Sequence, residues 1–259
     1  MRIALAQTKI KFKDKIYNIN KAISFIKEAK EKKADIIFFP EMSFTGFSFT
    51  IDNLAENDDY TLNIMKELSK KYNISIGFGY VKAVNKAKST LGKNNYCIIN
   101  KDIVLTEYTK IHPFFTESEN FIAGNTLSYA KIKDITISTF LCYDLRFPEI
   151  FQAACKKADL IIVPSNWPEK RINQFEILLK ARAVETQCYV AGINIVGFSD
   201  SLKYNGHSCI VDPFGEEIVS STKEELIIAD IDKNISVNLK NKFKIKDARR
   251  ENLYIQLMK

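Results

Sequence analysis

The chain predicts an α/β fold, and three features of the sequence carry that prediction. Short apolar, β-branched runs alternate with stretches that are apolar at helical spacing. No linker or low-complexity segment interrupts the alternation, so the reading is one domain over residues 1–259. One phrase also occurs twice: "KKADIIFFP" at 32–40 returns as "KKADLIIVP" at 156–164. Each copy reads as a helix end followed by a buried strand that proline closes, which predicts two similar α-β units side by side.

The elements follow in order. "RIALAQTKI" is a short apolar strand, after which Ile16, Ile19, Ala22, Ile23, Ile26 and Ala29 recur at helical spacing. "ADIIFFP" is a buried strand stopped by Pro40, and Leu62, Met65, Leu68 and Tyr72 mark a second amphipathic helix. After "ISIGFGYV", the closely spaced runs "NNYCIIN" and "IVLTEYTK" predict an antiparallel pair. A loop, "IHPFFTESENFIAGN", leads to the strand "ITISTFL", which ends at Cys142, and a helix starts near Pro148, where the first turn has no N–H to lose. A long helix is expected from about Asn173 to Gln187, then strands "YVAGINIVG", "HSCIVDP" and "ELIIADID", and a lysine-rich tail after Lys233.

Composition narrows the function classes. With 46% hydrophobic and 27% charged residues the chain reads as a soluble globular protein. No apolar run reaches the roughly 18 residues of a membrane span. "MRIALAQTKIKF" lacks the apolar core and small-residue cleavage site of a signal peptide, so the expected location is cytoplasmic and no membrane partner is expected. The five cysteines are scattered without CxxC spacing, which predicts reduced thiols and no metal site. A net charge of +7 raises the question of nucleic acid, yet only six of the 38 basic residues are Arg, the residue suited to bidentate phosphate and guanine recognition. Nucleic acid is therefore not an expected partner.

Three reactive residues share one place in this layout. Glu41 follows "ADIIFFP", Lys110 follows "IVLTEYT" and Cys142 follows "ITISTFL". Sites in α/β sheets form beyond the carboxyl ends of strands, so the three are expected to converge. His is the usual partner of a reactive thiol, but His112 and His207 are the only histidines, and no GxSxG or GxGxxG segment offers another chemistry; a carboxylate base would have a gap to overcome. The gap between free Glu (~4.3) and free Cys (~8.5) is about four units. Burial of the glutamate, the Lys110 ammonium and the helix start near Pro148 are expected to narrow it. A second carboxylate from Glu117 or Glu119 would keep Lys110 charged and aimed.

"PEMSFTGF", "KIHPFFTESENFIAGN" and "CYDLRFPE" resemble the three catalytic blocks of the nitrilase, or carbon-nitrogen hydrolase, superfamily. "NWPEKR", "LLKARAVETQCYVAGINIVG" and "YNGHSCIVDPFGE" continue the likeness in the right order, and "CYDLRFPE", "NWP" and "ARAVETQCYVAG" are most similar to bacterial omega-amidases. The resemblance implies a four-layer α-β-β-α sandwich and a homodimer or higher homo-oligomer, with the helix at Asn173 to Gln187 in the interface. It implies hydrolysis of the terminal amide of a small omega-amide such as 2-oxoglutaramate or 2-oxosuccinamate, without metal or organic cofactor. Cys142 would be the nucleophile, Glu41 the base, Lys110 with the Tyr143 N–H the oxyanion donors, and Glu117, four residues before Phe121, the partner of Lys110.

Asn166, Trp167, Phe44, Phe115, Tyr143 and Arg171 are the substrate-binding candidates. Asp144 and Arg146 are expected to brace the turn after the nucleophile, and both histidines to be structural. One departure is visible: relatives often read "NRVG" where this chain has "NIVG", so Ile195 removes an arginine and leaves Arg171 as an alternative carboxylate anchor. Rival readings are an N-carbamoyl-amine or N-carbamoyl-amino-acid hydrolase and a non-catalytic member of the fold.

Overall fold

The computed structural model describes residues 1–52, 54–86 and 89–258, the side chains of 85–90 excepted. The first half contains β1 (Arg2–Gln7), α1 (Lys15–Glu31), β2 (Ile36–Phe38), β3 (Ala55–Glu56), α2 (Tyr60–Tyr72), β4 (Ser75–Lys86), β5 (Ser89–Asn100), β6 (Ile103–Thr109) and α3 (Glu117–Asn120). The second half contains β7 (Tyr129–Ile132), β8 (Ile135–Thr139), α4 (Pro148–Ala154), β9 (Leu160–Pro164), α5 (Ile172–Thr186) and β10 (Tyr189–Ile193). It continues through β11 (Val196–Ser199), β12 (Leu202–Asn205), β13 (Ser208–Val211), β14 (Glu217–Ser221), β15 (Glu225–Asp230), α6 (Lys233–Lys242) and α7 (Glu251–Leu257).

Two sheets result, in the orders β15-β1-β2-β4-β5-β6 and β14-β13-β10-β9-β8-β7, with β3 on β4 and β11-β12 as a separate hairpin. Side chains alternate across each strand, and the alternation builds the layers. Ile3, Leu5, Ile36 and Phe38 of the first sheet join a shared core with Ile137, Leu160, Ile162 and Val190 of the second. The intervening Ala4, Ala6, Ile37 and Phe39 face outward beneath Ile19, Ala22 and Ile26 of α1 and Met65 and Leu68 of α2. On the far side α5 lies so close to β10 that a Cβ on Gly192 would stand 2.3 Å from Leu179, which is why that strand carries glycine. The molecule is an α-β-β-α sandwich, the expected architecture.

The repeated phrase has a structural meaning. Asp35 accepts the Arg2 N–H at 2.9 Å while its own N–H donates to the Arg2 carbonyl at 2.8 Å. Asp159 does the same with Thr136, at 2.9 and 2.8 Å. Each copy thus tethers its strand to the start of a parallel neighbour, β2 to β1 and β9 to β8. The copies occupy equivalent slots in opposite sheets instead of lying side by side, because each sheet needs its own central parallel strand.

Three expectations change. "YVAGINIVG" is not one strand: it breaks at buried Asn194, whose side chain accepts the Trp167 N–H (2.9 Å) and donates to the carbonyls of Trp167 (3.0 Å) and Gly206 (2.8 Å). The tail after Lys233 folds into α6 and α7, with Asp232 capping α6 through the Asn234 N–H at 2.9 Å and Ser236 donating to the Gln187 carbonyl at 2.6 Å. Its lysines read as solvated charge, yet Lys240 Nζ donates to the Ala158 carbonyl at 2.9 Å and Lys246 Nζ to the Cys155 carbonyl at 2.5 Å. The loop after Lys110 contains the one-turn helix α3. Among the described residues no helix is long and apolar enough to cross a membrane, and all five cysteines are free.

Candidate active site

Each candidate stands just past a strand end, held in place by the backbone around it. Glu41 follows β2 in a turn whose next residue, Met42, has φ +44°. Ser43 fixes that turn, donating to the Pro40 carbonyl at 2.5 Å and accepting the Gly79 N–H at 2.8 Å. Gly79 must be glycine, since a Cβ there would lie 2.6 Å from the Met42 nitrogen and 3.2 Å from the Glu41 Cα. Lys110 follows β6, and its N–H donates to the Asn94 carbonyl at 2.9 Å.

Cys142 opens a 3-10 turn, Cys142–Arg146, in left-handed conformation with φ +46°. A non-glycine residue held there is strained, and its surroundings must impose the conformation. Asp144, fully buried, accepts the Leu141 N–H (2.9 Å), the Tyr108 hydroxyl (2.8 Å) and the His112 N–H (2.9 Å), so it ties the cysteine turn to the segment that carries Lys110. From the other side, the buried Arg182 guanidinium donates twice to the Leu145 carbonyl, at 3.1 and 2.7 Å. His112 stacks on Phe147 at 3.7 Å and contacts Asp144 through Nδ1 at 2.8 Å, a structural placement as expected.

The convergence is complete. Lys110 Nζ lies 2.8 Å from Glu41 Oε1 and 2.9 Å from Glu117 Oε2, with all three side chains at most 1% exposed. Glu117 Oε2 also accepts the Phe114 N–H at 2.7 Å. Glu119 makes no contact with Lys110, so Glu117 is the second carboxylate. Burial opposes the ammonium of Lys110, but Glu117 and Glu41 outweigh it and hold its pKa well above the usual lysine range. Charges this deep persist only when paired and hydrogen-bonded.

The thiol departs from expectation. Burial first, and the Glu41 carboxylate second, push the Cys142 pKa well above the ordinary thiol range, against the pull of Lys110 and of the Asn166 backbone N–H. The 3-10 turn Cys142–Arg146 stands in sequence between the sulfur and the helix start at Pro148. The resting group is a neutral thiol beside a carboxylate.

One cavity opens over Cys142, about 630 Å³ including its solvent-facing mouth. Tyr143, Asn166, Trp167 and Arg171 line it, as expected. Asn166 donates from Nδ2 to the Glu41 carbonyl at 2.8 Å and to Glu41 Oε2 at 3.2 Å. Two substrate-binding candidates fall elsewhere. Phe44 packs at 5.8 and 6.2 Å on Phe39 and Phe78 in the core beneath α1. Phe115 is 71% exposed, because the left-handed backbone at this residue (φ +47°) turns it outward while Phe114 takes the inward place.

Sequence reasoning missed Phe47, Phe49, Phe114 and Tyr204 in the cavity wall, although "GFSF" at 46–49 places two aromatics at period two directly after the glutamate block. It also missed Asn94, whose "KNNY" setting looks like an ordinary strand start. Asn94 Nδ2 stands 2.9 Å from Glu41 Oε1 and 2.9 Å from Glu117 Oε1. Arg146 faces the cavity instead of only bracing the turn, with its guanidinium 4.8 Å over the Trp167 ring. Ile195 is fully buried against Ile10 and Tyr204, an apolar contact that suits the residue found there.

Two facing sheets with helices outside, and a thiol, a lysine and two glutamates gathered past their strand ends, define the nitrilase class of folds. A carbon-nitrogen hydrolase family model matches residues 2–238, and the chain belongs to that family. It is 34% identical to a 2-oxoglutaramate amidase of Bacillus subtilis (strain 168), over 92% of this chain and 93% of that protein. It is 31% identical to the omega-amidase YafV of Yersinia enterocolitica, over 80% and 79% of the two. An amidase from Nesterenkonia sp. superposes with a TM-score of 0.85 at 23% identity, covering 99% of this chain and 96% of that one, a likeness of fold.

Proposed function

We propose that this protein is an omega-amidase that hydrolyses the terminal amide of a short 2-oxo acid such as 2-oxoglutaramate or 2-oxosuccinamate, releasing ammonia. One observation carries the reading: a half-buried thiol beside the Glu41–Lys110–Glu117 ion system, in the wall of a small cavity. The likeness to the 2-oxoglutaramate amidase of B. subtilis supports the choice of substrate.

Cys142 Sγ attacks the amide carbon while Glu41 Oε2 takes the thiol proton. The carbonyl oxygen gains the negative charge and is met by Lys110 Nζ and by the Tyr143 N–H, which has no partner inside its short turn. Glu41 passes its proton to the nitrogen, the C–N bond breaks, ammonia leaves and a thioester remains. Water, deprotonated by Glu41, then attacks the thioester carbon, and the C–S bond breaks to give the carboxylic acid and the thiol. A neutral resting thiol suits this sequence, because proton transfer accompanies attack. Glu117 keeps Lys110 charged and aimed.

Arg171 is the anchor for the substrate carboxylate. It lines the cavity together with Asp200, and its guanidinium lies 5.1 Å over the Phe114 ring. Tyr143, Asn166 and Trp167 complete the pocket. The chain acts as one domain and pairs with a second copy through the outer face of α5, where Ile177 and Val184 are exposed beside Phe214. A monomer in sedimentation at micromolar concentration would remove the pairing.

Incubation with 2-oxoglutaramate, 2-oxosuccinamate and an N-carbamoyl amine in parallel, with ammonia and carbon dioxide measured, tests the substrate. Ammonia alone from the oxo-amides is the expected result. Carbon dioxide with ammonia from the carbamoyl compound would move the substrate to the carbamoyl class, and silence from all three would overturn the omega-amidase reading.

A further inference from the structure

We infer that Asn94 is a positioning residue that selects which oxygen of Glu41 serves as the base. This inference rests on the roles proposed above for Glu41 and Cys142. Asn94 lies on β5 and is 1% exposed. Its carbonyl accepts the Lys110 N–H at 2.9 Å, so it sets the backbone of that residue as well as its surroundings.

The side chain closes a ring. Lys110 Nζ bridges Glu41 Oε1 and Glu117 Oε2, and Asn94 Nδ2 bridges Glu41 Oε1 and Glu117 Oε1, each contact between 2.8 and 2.9 Å. Two carboxylates that repel one another are therefore joined twice by donors. The orientation of the amide is forced, since a flipped Asn94 would set its oxygen against two carboxylate oxygens at 2.9 Å. In the forced orientation Asn94 Oδ1 is buried without a partner among the described residues. An orphaned buried acceptor is uncommon in native proteins and calls for a reason. The two donors on the carboxylates supply it.

The consequence falls on Glu41. Lys110 and Asn94 both use Oε1, while Oε2 has the Asn166 amide at 3.2 Å. Oε2 is thus the oxygen left for the thiol proton. Without Asn94 the carboxylate is free to turn about its last torsion and offer either oxygen to Lys110, and Glu117 Oε1 loses its donor.

Two variants separate positioning from packing. Asn94→Leu keeps the volume and removes both donors. Its kcat is expected to fall about 100-fold at every pH, the scale of an ångström-level misplacement, with KM little changed. Asn94→Asp is isosteric and places a third anion in the ring at neutral pH, but donates again once protonated. Its pKa is expected above the usual ~3.9 because two anions crowd it. Relative to wild type, kcat/KM of Asn94→Asp should therefore rise as pH falls from about 8 to about 5.5, while that of Asn94→Leu stays flat. Thermal melts of both variants at each pH establish that the folded enzyme is being measured.

If Asn94→Leu retains kcat within about threefold of wild type, or if both folded variants lose activity equally at every pH, the positioning role is overturned. Alkylation of Cys142 by iodoacetamide, read by mass spectrometry, needs no substrate. At pH 8 it should be slower in Asn94→Asp than in wild type, because the added anion disfavours the thiolate; an equal rate would count against the ring. Failure of the parent reading looks different: wild type would be inactive on all the amides, or Cys142→Ala would retain turnover.

Discussion

Asn166 reaches across the sandwich and donates to Glu41 at two points, the backbone carbonyl at 2.8 Å and Oε2 at 3.2 Å. Glu41 follows the first copy of the repeated "KKAD" unit by one residue and Asn166 follows the second by two, so the central strands of the two sheets meet at the candidate site. The base is held by a residue from the other half of the fold.

That contact makes the backbone around Glu41 a sensitive place. Gly79→Ala is expected to lower kcat by about 100-fold, since the new Cβ would meet the Met42 nitrogen at 2.6 Å and displace the glutamate. Steady-state ammonia release alongside a thermal melt checks it. Unchanged turnover would mean that the turn tolerates the shift.

Lys110 balances two buried carboxylates, and its removal leaves both without a cation. Lys110→Met should destabilise the protein by about 3–5 kcal/mol, the usual loss when one member of a buried ion system is deleted. That corresponds to a drop of roughly 10 °C in Tm. Calorimetry of the variant measures it, and a melt within about two degrees of wild type would show that the carboxylates are relieved in another way.

The state of the thiol has a sign that can be tested. Burial and the Glu41 carboxylate hold the Cys142 pKa high, so the neutral thiol dominates at neutral pH and the thiolate forms only on strong alkalinisation. The pH profile of Cys142 alkylation should keep rising past the ~8.5 of a free thiol. Glu41→Gln removes the anion and is expected to move that midpoint downward while turnover falls about 10²- to 10⁴-fold. A midpoint at or below that of a free thiol in wild type would refute the neutral resting state.

Much of this site was legible before any fold was known. Strand ends followed by Glu41, Lys110 and Cys142 were readable because buried strands are marked by short β-branched runs and closed by proline or polar residues. Glu117 needed the family likeness, since Glu119 sits two residues away with the same chemistry. Asn94, Phe47 and Phe49 stayed hidden because their partners come from segments distant in sequence. Phe44 and Phe115 were misplaced because the left-handed backbone at Met42 and Phe115, which decides which aromatic faces inward, leaves no mark on residue type. The C-terminal helices were masked by lysines that read as solvent-facing charge, although Lys233, Lys240 and Lys246 turn their ammonium groups onto the carbonyls of Asp134, Ala158 and Cys155.

Arg171 carries the expected preference for a substrate with a carboxylate. Arg171→Ala should raise KM for 2-oxoglutaramate by about 10- to 100-fold, the worth of one charge-assisted hydrogen bond, and leave kcat nearly unchanged. A simple aliphatic amide should be affected far less. Equal loss on both substrates would assign Arg171 to the cavity wall only.

A thioester on Cys142 is read directly from the intact mass of acid-quenched protein within the first turnovers on 2-oxoglutaramate. The expected result is an adduct equal to the substrate less ammonia, mapped to the peptide bearing Cys142 and absent, together with ammonia release, in Cys142→Ala. Ammonia release that survives in Cys142→Ala, or an adduct on another residue, would contradict it.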